Sequence, residues 1–290
     1  MSEYSDIWYH SEDGLKLYAR DYPCADPAVA QPGLVLCMHG LTRNSADFAG
    51  LAPHLSQRYR VVAVDVRGRG RSEYDSNPAN YTPLTYARDM LHLLDQLDVP
   101  QAVLCGTSMG GLMALLMTAM APARVRAIIL NDIGPEIDPR GLERIKNYVG
   151  KAQPVIDWAG AVAQSRGING EAFPDFTDAD WLHFARAVYR EEHGVPVLAY
   201  DQAIAQPVDA DDGAAIPADL WPVFDAAAAH PMLVVRGALS DILAASCVAT
   251  MQRRKPDLQY AELSNRGHAP TLDEPAARAA IDTFLASLDP

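Results

Sequence analysis

Short, continuously apolar runs recur along this chain, separated by stretches in which apolar residues return every three or four positions. The runs are 34–38 (LVLCM), 61–64 (VVAV), 102–105 (AVLC), 127–130 (AIIL) and 232–235 (MLVV), with a weaker one at 258–263 (LQYAEL). Runs apolar at every position fit strands buried on both faces, as in a parallel sheet. The segment 14–21 (GLKLYARD) instead alternates apolar and polar residues, which predicts an antiparallel edge strand. Helical spacing marks 84–97, 110–121 and 276–288. Strands alternating with helices predict an α/β fold with a doubly wound, mostly parallel sheet.

The rhythm breaks between 134 and 231. No continuous apolar run occurs there, and the interval is rich in aromatic residues. A stretch this long without a strand pattern predicts a helical insertion at 133–221, within a core formed by 1–132 and 222–290. Trp158, Trp181, Tyr189 and Trp221 are expected mainly as the insertion's own packing, with pocket lining as the alternative.

Charge narrows the partners. The 290 residues hold 24 Lys and Arg against 37 Asp and Glu, for a formal net charge of −13. Segment 151–220 alone carries 4 basic and 12 acidic residues. So acidic a chain repels phosphate backbones, and no nucleic-acid partner is expected. The alternating Arg67, Arg69 and Arg71 are glycine-separated and predict a loop motif. The four cysteines, Cys24, Cys37, Cys105 and Cys247, form no C-x-x-C pair and are expected as reduced core residues. The first residues (MSEYSDIWYHSEDG) are acidic and lack an apolar core, which predicts no signal peptide and a cytoplasmic location. No segment approaches the roughly 18 apolar residues of a membrane span, so no membrane partner is expected.

The sharpest motif is Gly106-Thr107-Ser108-Met109-Gly110-Gly111, between an apolar run and a helical segment. A strand–turn–helix with Gly-x-Ser-x-Gly is the context of a nucleophile elbow. Its turn is so tight that residues two before and two after the serine must be small. Ser108 is the candidate nucleophile. The alternative is a glycine-rich turn in which the serine merely caps the helix.

A serine hydroxyl needs a base. Of the eight histidines, His268 follows the last strand run within Gly267-His268 and is the candidate. His39 is read as shaping its loop, and the others as surface or packing residues. The orienting acid is assigned to Asp241, after the MLVVRG strand, with Asp132 in reserve; a helix-start role for Asp241 is the alternative. The oxyanion donors are expected to be the backbone N–H groups of Met109, after the nucleophile, and of Leu41, in the loop His39-Gly40-Leu41. Arg43 is expected to make a structural ion pair, with a substrate contact as the alternative.

Taken with Asp65-Val66-Arg67-Gly68-Arg69-Gly70-Arg71-Ser72 and Arg236-Gly237, these motifs resemble the α/β-hydrolase superfamily over nearly the whole chain. They look most like its capped serine esterases, lactonases and meta-cleavage-product hydrolases. The resemblance implies a helical cap over the active site, and a serine elbow sets the chain apart from the aspartate-bearing dehalogenases and epoxide hydrolases. The expected activity is hydrolysis of a carboxylic ester or lactone of a small, partly apolar acyl substrate through an acyl-enzyme, with no cofactor and no metal. C–C bond hydrolysis by the same residues is the alternative. From another class comes a small-molecule receptor with vestigial activity. Oligomeric state and the residues that touch substrate are not indicated.

Overall fold

Each continuously apolar run becomes a strand. A computed structural model describes residues 4–28, 33–209 and 219–288. Among these described residues the chain passes through β1 (Ser5–His10), β2 (Lys16–Tyr22), β3 (Leu34–Met38), α1 (Leu51–Leu55), β4 (Arg60–Asp65), α2 (Pro83–Gln96), β5 (Ala102–Thr107), α3 (Met109–Met120) and β6 (Val125–Asn131). It then leaves the sheet for α4 (Pro139–Tyr148), α5 (Trp158–Asn169), α6 (Asp178–Val188), β7 (Tyr189–Glu192), β8 (Val195–Leu198) and α7 (Ala205–Asp209). It returns through α8 (Trp221–Ala227), β9 (Met232–Gly237), α9 (Ala245–Arg254), β10 (Gln259–Leu263) and α10 (Pro275–Ala286).

Eight of the strands form one sheet in the order β1-β2-β4-β3-β5-β6-β9-β10. β1/β2 and β2/β4 pair antiparallel, and the remaining pairs are parallel. The expected edge strand at 14–21 is β2, one place in from the edge. β1 covers it, paired from Ser5↔Asp21 to His10↔Lys16. The chain order reverses around β3, which lies between β4 and β5. Loops diverge at such a reversal and leave a crevice beyond the carboxyl ends of the strands.

Side chains of the central strands alternate between two apolar layers. Leu34, Leu36 and Met38 of β3 join the layer of α2, α3, α8 and α9. Val35 and Cys37 join that of α1 and α10. All four cysteines are free thiols, and Cys37 faces Cys105 across β3 and β5. The loop after β4 is fastened by charge. Arg67 is buried and pairs with Asp13, Asp75 and Asp89 at 2.6–2.9 Å.

The segment between β6 and β9 carries its own apolar cluster of Ala161, Phe173, Trp181, Phe184, Ala185, Val188 and Tyr189. Thr177 and Asp180 form a reciprocal capping box at the start of α6. The segment is not purely helical, because β7 and β8 form an antiparallel hairpin. Its turn is His193-Gly194, both with positive φ (52° and 80°), as a tight two-residue hairpin turn requires.

Candidate active site

Ser108 stands between β5 and α3 with φ 51° and ψ −114°. Positive φ is sparsely populated for a residue with a Cβ and costs about 1–3 kcal/mol, so the surroundings must impose it. They leave no alternative to glycine on either side. A Cβ on Gly106 would lie 2.2 Å from the Gly110 carbonyl oxygen, and one on Gly110 would lie 2.1 Å from that of Met38. The Ser108 N–H donates to the Asn131 carbonyl at 2.9 Å, which fixes the turn to β6. The Ser108 side chain makes no capping bond to α3. Its Oγ lies 2.8 Å from His268 Nε2 instead.

His268 follows β10 and returns over the sheet edge. Asn131, at the end of β6, holds this return: its Nδ2 donates to the Pro270 carbonyl at 2.8 Å and to Thr107 Oγ1 at 3.0 Å. His268 Nδ1 lies 2.8 Å from Asp132 Oδ2. A carboxylate only accepts, so Nδ1 carries the proton and Nε2 is free to accept one from Ser108.

The carboxylate beside His268 is therefore Asp132, and the expectation of Asp241 is corrected. β6 neighbours β5 in the sheet, with Asn131 opposite Thr107. The residue after each strand, Asp132 and Ser108, then emerges side by side. Asp132 is fully buried. It also accepts from the Gly237 N–H at 2.8 Å and the Ser240 hydroxyl at 2.5 Å. Asp241 is committed elsewhere: Arg144 of α4 binds it through Nε at 2.5 Å and Nη2 at 2.9 Å. The Arg144 partnership holds the Asp241 carboxyl below its ordinary range against the opposing pull of burial.

The loop after β3 passes directly over the elbow, close enough that a Cβ on Gly40 would lie 3.8 Å from the Ser108 Cβ. His39 shapes it. Nδ1 donates to the Gly40 carbonyl at 2.7 Å and Nε2 accepts from the Val66 N–H at 3.0 Å. Burial lowers the His39 pKa to about 3, so the ring is neutral. Arg69, read from the sequence only as part of a loop motif, is fully buried beneath the loop. Its Nε donates to the Leu41 carbonyl at 2.9 Å, and Nη2 lies 3.7 Å from Met109 Sδ. One guanidinium thus touches both residues expected to supply oxyanion donors. The Met109 N–H opens α3, where a helix offers no internal acceptor. Sequence alone could not find Arg69, because its contacts are with residues 28 and 40 positions away.

A cavity of about 120 Å³ opens beside Ser108 and His268. Gly40, Leu41 and Thr42 form its floor, and the segment between β6 and β9 forms its roof through Tyr148, Ser165, Phe184, Tyr189 and Tyr200, among others. Of the aromatic residues singled out from sequence, Tyr189 lines the cavity. Trp181 packs in the segment's own cluster, Trp158 bonds Glu191, and Trp221 bonds Glu136. Arg43 pairs with Asp47 at 2.6 Å and lies 3.9 Å over the Phe184 ring. Burial pushes the Tyr189 and Tyr200 hydroxyls up to about 12, so both stay neutral. Apart from the Arg43–Asp47 ion pair and His268, the residues lining the cavity are uncharged, and many are apolar.

Comparison with known proteins settles the family. A model of the alpha/beta hydrolase fold matches residues 33–275. The chain belongs to the α/β-hydrolase family. It is 36% identical over 267 residues to the 3-hydroxybutyrate-oligomer hydrolase of Cupriavidus necator, covering 90% of each protein. It is 29% identical over 235 residues to the 2-(acetamidomethylene)succinate hydrolase of Mesorhizobium japonicum, covering 81% of each. The crystal structure of an α/β hydrolase from Novosphingobium aromaticivorans superposes with a TM-score of 0.91 at 42% identity, over 99% of both chains. Among the described residues, no helix of this α/β-hydrolase is long and apolar enough to cross a membrane.

Proposed function

We propose that this α/β-hydrolase cleaves a carboxylic ester or lactone of a small, partly apolar acyl substrate through an acyl-enzyme on Ser108. The observation that carries the reading is the unbroken chain of 2.8 Å contacts from Ser108 Oγ through His268 to Asp132. His268 Nε2 takes the hydroxyl proton as Oγ attacks the carbonyl carbon. The charged imidazole is held by the buried Asp132 carboxylate. The backbone N–H groups of Leu41 and Met109 receive the developing oxyanion, the Leu41 peptide being held from below by Arg69. His268 then gives its proton to the leaving oxygen as the C–O bond breaks. It next takes a proton from water, whose oxygen attacks the acyl carbon, and gives that proton to Ser108 Oγ as the acyl–Oγ bond breaks.

The relative acting on 3-hydroxybutyrate oligomers supports an ester as the scissile bond. A largely uncharged lining, in which Arg43 is matched by Asp47, supports an uncharged acyl group. The test is a panel of p-nitrophenyl butyrate, a 3-hydroxybutyrate dimer, a γ-lactone and a ring-fission diketone, run on the protein and on Ser108→Ala. Turnover of an ester or the lactone, abolished in Ser108→Ala, is expected. Turnover of the diketone alone moves the reading to C–C hydrolysis. Equal rates in both proteins on every substrate overturn the enzyme reading.

A further inference from the structure

The roof of the cavity holds one polar group with nothing to bind. Ser165, on α5, is 3% exposed and lines the cavity that contains Ser108 and His268. Its Oγ is buried and has no hydrogen-bond partner. The polar side chains around it are committed. Gln164 accepts from the Tyr189 hydroxyl through Oε1 and donates to the Gln153 carbonyl at 2.9 Å. Asn169 donates to the backbone carbonyl of Ser165 at 3.0 Å, and Arg43 is paired with Asp47. Tyr148, Phe184 and Tyr200 supply bulk around the same space. A buried hydroxyl left without a partner is unfavourable, and the residue that carries it borders the space that holds Ser108 and His268.

We propose that Ser165 is a subsite for an oxygen on the acyl chain, so that the enzyme prefers hydroxyacyl esters to plain alkanoyl esters. The proposal rests on the ester-hydrolase reading and names its substrate class. A hydroxyl on the substrate both donates and accepts, and so satisfies Ser165 in either orientation. A plain alkyl chain fills the same space and leaves Ser165 unpaired. Sites built around a polar partner discriminate strongly against the analogue that lacks it.

Ser108→Ala removes turnover and leaves neutral esters intact as ligands. Ligand-observed NMR titrations of methyl 3-hydroxybutyrate, each enantiomer separately, and of methyl butyrate would be run on Ser108→Ala and on Ser108→Ala/Ser165→Ala. One enantiomer is expected to bind Ser108→Ala about 10-fold more tightly than the butyrate ester, a preference that falls to within about 2-fold when Ser165 is removed. Ser165→Cys, close to serine in size but a weak hydrogen-bonding group, should lie between. No preference in Ser108→Ala overturns the proposal, as does a preference that survives Ser165→Ala. So does a failure of both hydroxybutyrate enantiomers to bind. The ester reading fails on a different measurement, the absence of ester turnover by the protein with Ser108 intact.

Discussion

The carboxyl edge of the sheet and the roof above it are held together by different kinds of contact. The edge is fastened by hydrogen bonds, although Asn131 Oδ1 is itself buried without a partner. Asp132 accepts from Gly237, Ser240 and His268, and Asn131 ties the His268 loop to β5. His39 and Arg69 fasten the loop over the elbow. The roof is held by an aromatic cluster and leaves Ser165 unpartnered. The contrast assigns geometry to the edge, where a shift of an ångström would separate Ser108 from His268. On the proposal above, the choice of substrate falls to the roof, through Ser165.

The most forceful way to break this comparison is to swap the two carboxylates. Asp132→Asn keeps the shape but offers His268 Nδ1 an amide that can present its N–H, which favours the wrong tautomer. The expected fall in kcat is about 10⁴-fold, with KM little changed. Asp241→Asn removes only the charge partner of Arg144 and should lower kcat less than 10-fold. Steady-state kinetics on the best ester of the panel decides. If Asp241→Asn is the worse variant, the end of β6 is not where the acid lies.

That pair also marks what was legible in the sequence. The strand 34–38 was read to the residue, because a continuously apolar run of that length, ending at His39-Gly40, fits a buried strand and is short for a helix. Ser108 was legible because its turn excludes side larger than hydrogen at Gly106 and Gly110. Asp132 was passed over as first choice because its placement depends on the pairing of β5 with β6, and cross-strand register is not written in either strand alone. Position after a strand was the available signal, and Asp132 and Asp241 both carried it. β1 was missed although IWYH alternates weakly, and the hairpin β7–β8 because His193-Gly194 is not among the commonest turn pairs. Arg69 was taken with its neighbours as a loop motif, and its touch on Leu41 and Met109 exists only in three dimensions.

The roof is next to be tested as a unit of its own. Trp181 is buried against Phe173, Phe176 and Phe184, at ring-centroid distances of 5.2–6.2 Å. Trp181→Ala opens a cavity there, and such truncations cost about 3–5 kcal/mol. Hydrogen exchange should show lost protection in α5 and α6 while β3, β5 and β6 keep theirs. Catalytic efficiency should fall because the cavity roof loosens. Uniform loss of protection across the sheet and the roof would mean that the two regions unfold together, and the division of labour would lose its physical basis.

The smallest expected effect lies at the edge and is read by pH. His39 is buried, and desolvation lowers its pKa to about 3 from the ordinary 6.5. Both nitrogens are already used, with Nε2 accepting from Val66, so a second proton has no place to go. The unfolded chain takes up that proton below pH 6.5 and the folded one does not. Stability contributed by neutral His39 is therefore complete above pH 6.5 and is lost as pH falls toward 3, at up to about 1.4 kcal/mol per pH unit. His39→Gln keeps a side chain with one donor and one acceptor end but cannot titrate. Urea unfolding between pH 7 and pH 4.5 should show a steeper loss for the natural protein than for His39→Gln, by close to one proton per molecule. The carboxylates are common to both proteins and drop out of that difference. Parallel slopes would mean that His39 opens to water at the edge, and that the loop carrying Leu41 is held less firmly than its hydrogen bonds imply.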